Sequence, residues 1–556
     1  MTRDAPASEP DAPGPSGGAG LPLVWTIALA GAFVAVALAI VWPILDAEFL
    51  SDDYLYIVNN HYVHGLTLEH VLAILDPYGA PTIYTLNYAP VHLLLVALQW
   101  EWVGDATRLY HVTNALAHAG TTLLLIPFFR RAGLPAPAAA LGAAWFLVHP
   151  ANVETVAWLF QLKTIVALAL SIGALLLHER RPAWAALLFA LALLTKVTAL
   201  GVLPVVAAQS WIRSRREPAA SPHWGWIGVW VGVAVLVSVP EMAAFQRQSD
   251  PRLLIHDDLW VHGRTIFAIA ARYLWMALTG LGVSTFHEPP AAESWLDPWW
   301  LAGLVALVAI GVRTVQTLIR GDEEACMWLF AAAAFAPVSQ IFPFVFPMGD
   351  RYLYPILPGL VGAVLLALRP AWRAAGDALA ERGAAELLPR VAATLTLAWI
   401  AFFAVQSVQR APVFASNRAM MVDAARHYPD GMQANLLRGH RAAAEGNVRA
   451  AAESFRRAID LGFSDLGMLL THPDTARIRN TPEFSAVLRH LARLDVQRLG
   501  AHEDPEASEL IALGIAYEVL GQNDRAIASF EAAAAQPGPL QETARGHVER
   551  LERALR

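Results

Sequence analysis

The chain has 556 residues, 56% of them hydrophobic and 16% charged, and a formal net charge of −7. Soluble globular chains carry roughly 25% charged residues, so the composition is that of a polytopic membrane protein with a more polar appendage. The acidic balance argues against nucleic acid, which calls for a basic face. The lone cysteine, Cys326, rules out an intrachain disulfide and thiol-based zinc or redox motifs.

Residues 1–20 are rich in Pro, Gly, Ala and Ser and have no apolar face to bury, which predicts a disordered cytoplasmic tail. The 25 apolar residues from Leu21 to Leu45 exceed a signal-peptide core and suit a bilayer span. Spans are predicted at 22–44, 108–129, 135–149, 153–177, 183–196, 198–212, 224–243, 297–315, 326–344, 352–368 and 391–408. Two further apolar stretches, 88–103 and 264–283, are ambiguous.

Arginine clusters set the topology, because short cytoplasmic loops collect Lys and Arg. The clusters are Arg130 with Arg131, Arg180 with Arg181, residues 213–216, Arg313 with Arg320, and Arg369, Arg373, Arg382 and Arg390. All fall inside if 88–103 and 264–283 lie in the interface or re-enter. Trp100, Trp102, Tyr273 and Trp275 suit that placement. The result is a helix bundle of eleven crossings, occupying 21–410, with the N-terminus inside and a first extracytoplasmic loop at 45–107. Asp52, Asp53, His149, Glu154, Lys196, Asp257, Asp258, Asp350 and Arg351 then all fall on the outer side. Ionisable residues at membrane depth are costly and mark function by default, so this face is the predicted site.

Within 143–170, His149-Pro150 breaks one span and Glu154 opens the next helix, where an acid suits the helix dipole. Within 335–362, Asp350, Arg351 and Tyr352 sit at the mouth of a helix. His111 and His118, seven residues apart on one face of a span, read as satisfied bundle histidines, and Asp257 and Asp258 as solvated loop residues. No Gly-rich phosphate loop is evident, so neither a nucleotide sugar nor ATP has a visible site.

From about residue 415 the chain turns polar. Residues 434–462 resemble 508–538: Gly439 matches Gly514, Gly446 matches Gly521, Ala451 matches Ala526, Phe455 matches Phe530 and Ala458 matches Ala533. Small residues at fixed offsets let two helices pack closely, with the aromatic filling the gap. This is the tetratricopeptide pattern of an α-solenoid, assigned to 415–556 and placed outside the membrane. Residues 463–507 read as a helical hairpin filling one repeat's place.

In order along the chain, SDDYLYIVNN, YHVTNALAHAG, HPANVETVAW, APVSQI, DRYLYP and the trailing repeats resemble the transmembrane tetratricopeptide-containing O-mannosyltransferases and their bacterial relatives, which are C-type glycosyltransferases. The resemblance implies an enzyme of the bacterial inner membrane that moves a sugar from a polyprenyl-phosphate donor to a hydroxyl acceptor, outside the cytoplasm. It implies a protein or peptide acceptor recruited by the repeats. It makes Asp52 and Asp53 the catalytic acidic motif. Arg351, Lys196, Tyr352, His149 and Glu154 become the substrate- and lipid-phosphate-binding set. A divalent ion between Asp53 and Glu154 is the one cofactor this set admits.

Such a transfer needs a carboxylate at the acceptor oxygen and positive charge at the leaving phosphate, which a guanidinium fork suits. Three positions depart from the family pattern: Ala89 replaces an arginine, Thr164 an acid and Val197 a glutamate. These losses leave the donor identity open and favour a rival reading, a non-catalytic tetratricopeptide scaffold anchored in the membrane; a third reading is a transferase acting on lipid or polysaccharide.

Overall fold

The computed structural model describes residues 23–216, 224–246, 256, 258–341, 346–381, 387–502, 505–538 and 540–556. The tail 1–20, Asp257 and Arg382 lie outside the described residues. Every regular element among the described residues is helical.

Seven helices are long and apolar enough to cross a membrane: Thr26–Ile44, Thr107–Arg131, Leu159–Leu177, Trp224–Ala244, Pro298–Arg320, Asp350–Glu381 and Leu388–Ala415. Each coincides with a predicted span, and the chain is a helical membrane protein on this basis. The other predicted spans are shorter helices: Ala136–Leu147, Pro182–Thr195, Leu203–Arg216 and Glu324–Phe335. At 1.5 Å per residue they measure roughly 18–21 Å, short of a hydrocarbon core of about 30 Å. Three end at breaks in the chain, after Leu147, Thr195 and Phe335, and the second of these places Lys196 in the polar site.

Contacts sort the chain into two ends. At one end the arginine clusters meet: Glu179 pairs with Arg131 at 2.8 Å and with Arg213 at 3.3 Å, Arg216 reaches Glu323 at 3.5 Å, and Arg369 donates to Gly133 O at 3.2 Å. At the other end Arg108 pairs with Asp46 at 2.5 Å, Ser407 donates to Val148 O at 2.8 Å, and Tyr273 donates to Gly349 O at 3.3 Å. The helix Leu259–Thr279 touches this second end at both its termini. His262 bonds Gln340 O at 3.1 Å near its start, and at its end a Cβ on Gly280 would lie 2.8 Å from Pro150. The ambiguous stretch 264–283 therefore belongs to a helix lying along that end. Packing within the bundle is close: a Cβ on Gly359 would sit 2.5 Å from Ala331 N, so Asp350–Glu381 approaches Glu324–Phe335 backbone to backbone.

The C-terminal segment is built of paired helices. Met432–Ala444 packs on Val448–Asp460 and Ala507–Val519 on Asn523–Ala535. In both pairs a phenylalanine ring lies on a glycine: a Cβ on Gly439 would stand 2.6 Å from Phe455, and one on Gly514 2.5 Å from Phe530. The sequence match thus corresponds to matched packing. Between the pairs the predicted hairpin has one short arm. Leu466–Thr471 stops at His472-Pro473, where proline removes an amide donor, a tight turn Pro473–Arg477 follows, and Pro482–Leu499 is the long arm.

The two parts are tied together at the second end. Asp350 accepts from Arg410 Nη2 at 2.6 Å, His287 Nε2 at 2.7 Å and Ser284 N at 3.2 Å. Thr285 donates to Asp423 at 3.1 Å and to Met420 O at 2.7 Å. The Glu288 carboxylate takes the free amides of Met432 and Gln433 that open a helix.

Candidate functional site

The first apolar helix ends at Trp42-Pro43-Ile44, and the chain turns through Leu45–Leu50 to the acidic pair. Ser51 adopts φ 35°, uncommon for any residue but glycine. Its amide donates to Asn417 Oδ1 at 3.1 Å, so the loop is pinned beside the acids.

The two aspartates have different fates. Asp53 is fully buried and both its oxygens accept backbone amides, from Leu50 at 2.9 Å and from Phe160 at 2.8 Å. Burial pushes its carboxyl up to about 8, against the pull of those two amides. Asp53 is thus a brace between the first loop and residue 160. Asp52 is half-buried, and its charge acts on Tyr56, Lys163, Arg351 and Tyr352. Of the pair expected to be catalytic, only Asp52 has a charge that acts on Lys163 and Arg351.

Asp53 braces a break that was predicted as continuous helix. Residues 153–177 divide into a short helix Asn152–Ala157, an extended Trp158 (φ −83°, ψ 115°), one tight turn Leu159–Gln161 and the helix Leu162–Leu177. A break inside a membrane leaves backbone groups that must be satisfied by protein. Asn114 Nδ2 lies 3.3–3.4 Å from the carbonyls of Val156, Trp158 and Leu159, Asp53 takes the Phe160 amide, and Trp158 Nε1 donates to Leu50 O at 3.2 Å. The break turns Glu154 and Lys163 toward one space.

Glu154 is fully buried and holds Arg351. Its Oε1 accepts Nη1 at 2.6 Å and its Oε2 accepts the Arg351 amide at 2.9 Å. Arg351 Nη2 donates to Tyr352 Oη at 3.2 Å, and the guanidinium lies over the rings of Trp158, Phe346 and Tyr352 at 4.8–5.3 Å. Lys163, near 6% exposed, donates to Tyr56 Oη at 3.1 Å and lies 4.9 Å over Phe160. The Tyr56 and Phe160 rings stack at 5.3 Å. Lys196 sits at a second break, extended between Pro182–Thr195 and the turn Val197–Val202. It donates to Thr164 Oγ1 at 2.7 Å, and its charge interacts with Lys163, Arg351 and Glu154.

Three cations therefore stand near one another: Glu154 pairs with Arg351 and acts on Lys196, while Asp52 and Glu241 act on Lys163. Thr164 offers Lys196 a neutral hydroxyl, and that hydroxyl donates a hydrogen bond to Gln161 Oε1 at 2.5 Å. A small cavity of about 30 Å³ opens beside Thr164, lined by Ser171, Thr198, Gly201, Phe330 and Pro355.

His149 does not join the cluster. Its Nδ1 accepts the Ala151 amide at 3.2 Å and its Nε2 bonds Ala277 O at 3.1 Å, so the ring is occupied in holding the turn after Leu147. His149, expected among the substrate-binding residues, has both ring nitrogens engaged by the backbone. Asp350 is likewise committed to Arg410 and His287. The Asp53 and Glu154 pair expected to admit a divalent ion is engaged with different donors, two amides for one and Arg351 for the other. Asp258 caps its helix, accepting from Trp260 N at 2.7 Å. His118 is satisfied by Tyr354 Oη at 2.9 Å and Leu147 O at 3.0 Å, whereas His111 is buried with no partner on either ring nitrogen.

Four residues near the cluster were not singled out as site residues in the sequence. Lys163 and Tyr56 face Asp52. Glu241 takes Asn87 Nδ2 at 3.1 Å and the Tyr88 amide at 2.6 Å, and its charge also acts on Lys163. His92 is fully buried 5.7 Å from the Tyr56 ring. Lys163 and Glu241 carried a readable signal, a charge inside an apolar run. Tyr56 and His92 carried none. Compared with protein-family models and with curated proteins, the chain matches none.

Proposed function

We propose that this protein is an integral membrane glycosyltransferase of the C type, moving a sugar from a polyprenyl-phosphate donor to a hydroxyl. The observation that carries the reading is the gathering of Lys163, Lys196 and Arg351 within reach of one another's charge, with the half-buried Asp52 acting on Lys163 and Arg351. Asp52, Glu154 and Glu241 match the three cations in number, but neither lysine has a carboxylate in contact: Lys163 bonds Tyr56 and Lys196 bonds Thr164, and a phosphate would supply the missing direct partner. In the proposed reaction Asp52 takes the acceptor hydroxyl's proton. The freed oxygen attacks the anomeric carbon from the face opposite the phosphate. The carbon–oxygen bond to phosphate breaks, and its electron pair stays on the phosphate held by Arg351, Lys163 and Lys196. Glu154 and Tyr352 fix the guanidinium fork. Asp53 serves by holding Asp52 and the Trp158 break in place.

An apolar groove of about 590 Å³, lined by residues from Ala117 to Leu188 including Val166, Leu170 and Leu177, starts one helical turn from Lys163. It suits the lipid tail of such a donor. In this reading the shorter helices cross together with the seven long ones, giving eleven crossings with the N-terminus in the cytoplasm of a bacterial inner membrane. The paired C-terminal helices act as tetratricopeptide repeats outside, presenting a protein or peptide acceptor. Matched glycine–phenylalanine packing in both pairs supports the repeat assignment.

The test is sugar transfer by purified protein from a polyprenyl-phosphate sugar. Release of the sugar to an acceptor, lost in Lys163→Met and Lys196→Met, supports the reading. Protein that neither binds nor cleaves any such donor would support the scaffold instead. That rival draws on one specific observation: Arg351 already has Nη1 on Glu154 and Nη2 on Tyr352.

A further inference from the structure

The C-terminal helices carry a second polar cluster with no connection to the membrane site. His440 lies on Met432–Ala444, facing the turn that begins at His472. It is 5% exposed, yet neither ring nitrogen has a hydrogen-bond partner. Buried polar groups are almost always satisfied, and leaving one alone is costly. His440 touches the Phe455 ring at 5.2 Å on one side and the His472 ring at 4.0 Å on the other. Asp474 completes the group: its Oδ2 lies 3.7 Å from His472 Nδ1, and one ligand atom from each of the three residues falls within 4.8 Å of the others.

The turn is built to hold this arrangement. His472 caps it, accepting the Asp474 amide on Nδ1 at 3.2 Å. Its carbonyl is fixed by Thr475 Oγ1 at 2.8 Å and by Arg479 Nη2 at 3.2 Å. The side chains of His472 and Asp474 are 34% and 44% exposed, so the cluster has a buried floor and an open mouth.

We propose that His440, His472 and Asp474 form a transition-metal site of the zinc type, with its fourth position open to solvent. Two imidazoles and one carboxylate suit Zn²⁺ or a neighbouring late divalent ion, whereas Mg²⁺ and Ca²⁺ take oxygen ligands. Metal bonds of about 2.0–2.2 Å need the ligand atoms drawn closer than they stand; the partly exposed side chains of His472 and Asp474 would make that movement, and His472 would give up its bond to the Asp474 amide to bind through Nδ1. The ion would staple the short arm, whose helix Leu466–Thr471 is only six residues long, to the preceding helix pair. This site is independent of the transferase reading and survives its failure.

The test uses the full-length protein in detergent, stripped with chelator and free of any histidine tag. Titration with ZnCl₂ followed by calorimetry is expected to show one tight equivalent per chain, and CoCl₂ to give the visible absorption of a tetrahedral ion. His472→Gln and Asp474→Asn change exposed side chains and are expected to leave the fold intact. Either is expected to weaken Zn²⁺ at least about 100-fold, since even outer-shell losses cost about 10–100-fold, while His490→Gln elsewhere in the domain leaves it unchanged. No saturable Zn²⁺ binding by the parent, or equal binding by parent and His472→Gln, would overturn the proposal. Should His440→Phe fail to fold, those two exposed variants still decide it.

Discussion

Replacing Glu154 with Gln is the sharpest stability test of the cluster. Glu154 is fully buried, and its two oxygens meet Arg351 Nη1 at 2.6 Å and the Arg351 amide at 2.9 Å. Glutamine keeps one acceptor and places an NH₂ where the second carboxylate oxygen stood. If the carbonyl stays on the guanidinium, the NH₂ points at the Arg351 amide, donor against donor. Each hydrogen bond to a charged group is worth about 1.5–3 kcal/mol, and removing one partner of a buried ion pair costs about 3–5 kcal/mol. The expected loss is therefore about 3–5 kcal/mol, read as equilibrium unfolding in mixed micelles by tryptophan fluorescence. The double variant Glu154→Gln with Arg351→Met leaves no orphaned charge, and it is expected to recover a measurable part of the loss. A single variant within about 0.5 kcal/mol of the parent, the range of an ordinary surface change, would refute the assignment of Glu154 as the counter-ion of Arg351.

Three other outcomes follow from the geometry. Asn114→Ala strips the donor shared by the Val156, Trp158 and Leu159 carbonyls, and is expected to cost about 1–3 kcal/mol and to speed amide exchange at 156–162 by mass spectrometry. Gly514→Ala would put a Cβ 2.5 Å from the buried Phe530 ring, so despite alanine's better helix propensity it is expected to lower the thermal midpoint, by overpacking of about 1–3 kcal/mol. Asp53 gives a pH signature. Its carboxyl is raised from the ordinary 3.8 to about 8, so its contribution to stability is whole below about pH 4 and is lost as pH climbs through about 8. The stability of the parent relative to Asp53→Asn is expected to fall over that interval, and a flat difference in denaturant titrations at several pH values would contradict it.

The bundle was readable because its signal is compositional. Long apolar runs and arginine clusters place helices and ends without any knowledge of contacts, and Arg131, Arg213, Arg216 and Arg369 do share one end. Of the nine ionisable residues expected on one face, Glu154 and Arg351 meet directly, whereas Asp53, His149 and Asp350 have separate partners. What escaped was tertiary. The sequence from Val153 to Lys163 holds neither glycine nor proline, so nothing local marks the break at Trp158. It exists because Asn114 and Asp53, 44 and 105 positions away from it, satisfy the groups it frees. The same distance effect hid the division of labour between Asp52 and Asp53, two neighbours that a one-residue rotation sends to different surroundings. His440 and His472 are 32 positions apart and share no motif; only the turn at Pro473 brings them together.

The central claim is that Asp52, not Asp53, meets the acceptor at a cationic phosphate site. The direct measurement is transfer from a polyprenyl-phosphate sugar by the parent, Asp52→Asn and Asp53→Asn, each checked for parental folding. Asp52→Asn is expected to keep the fold and donor binding while the rate falls about 10²–10⁴-fold, the usual scale for loss of a general base. Its unfolding midpoint should match the parent's, whereas that of Asp53→Asn should not. An Asp52→Asn protein that transfers sugar at the parental rate would contradict the account.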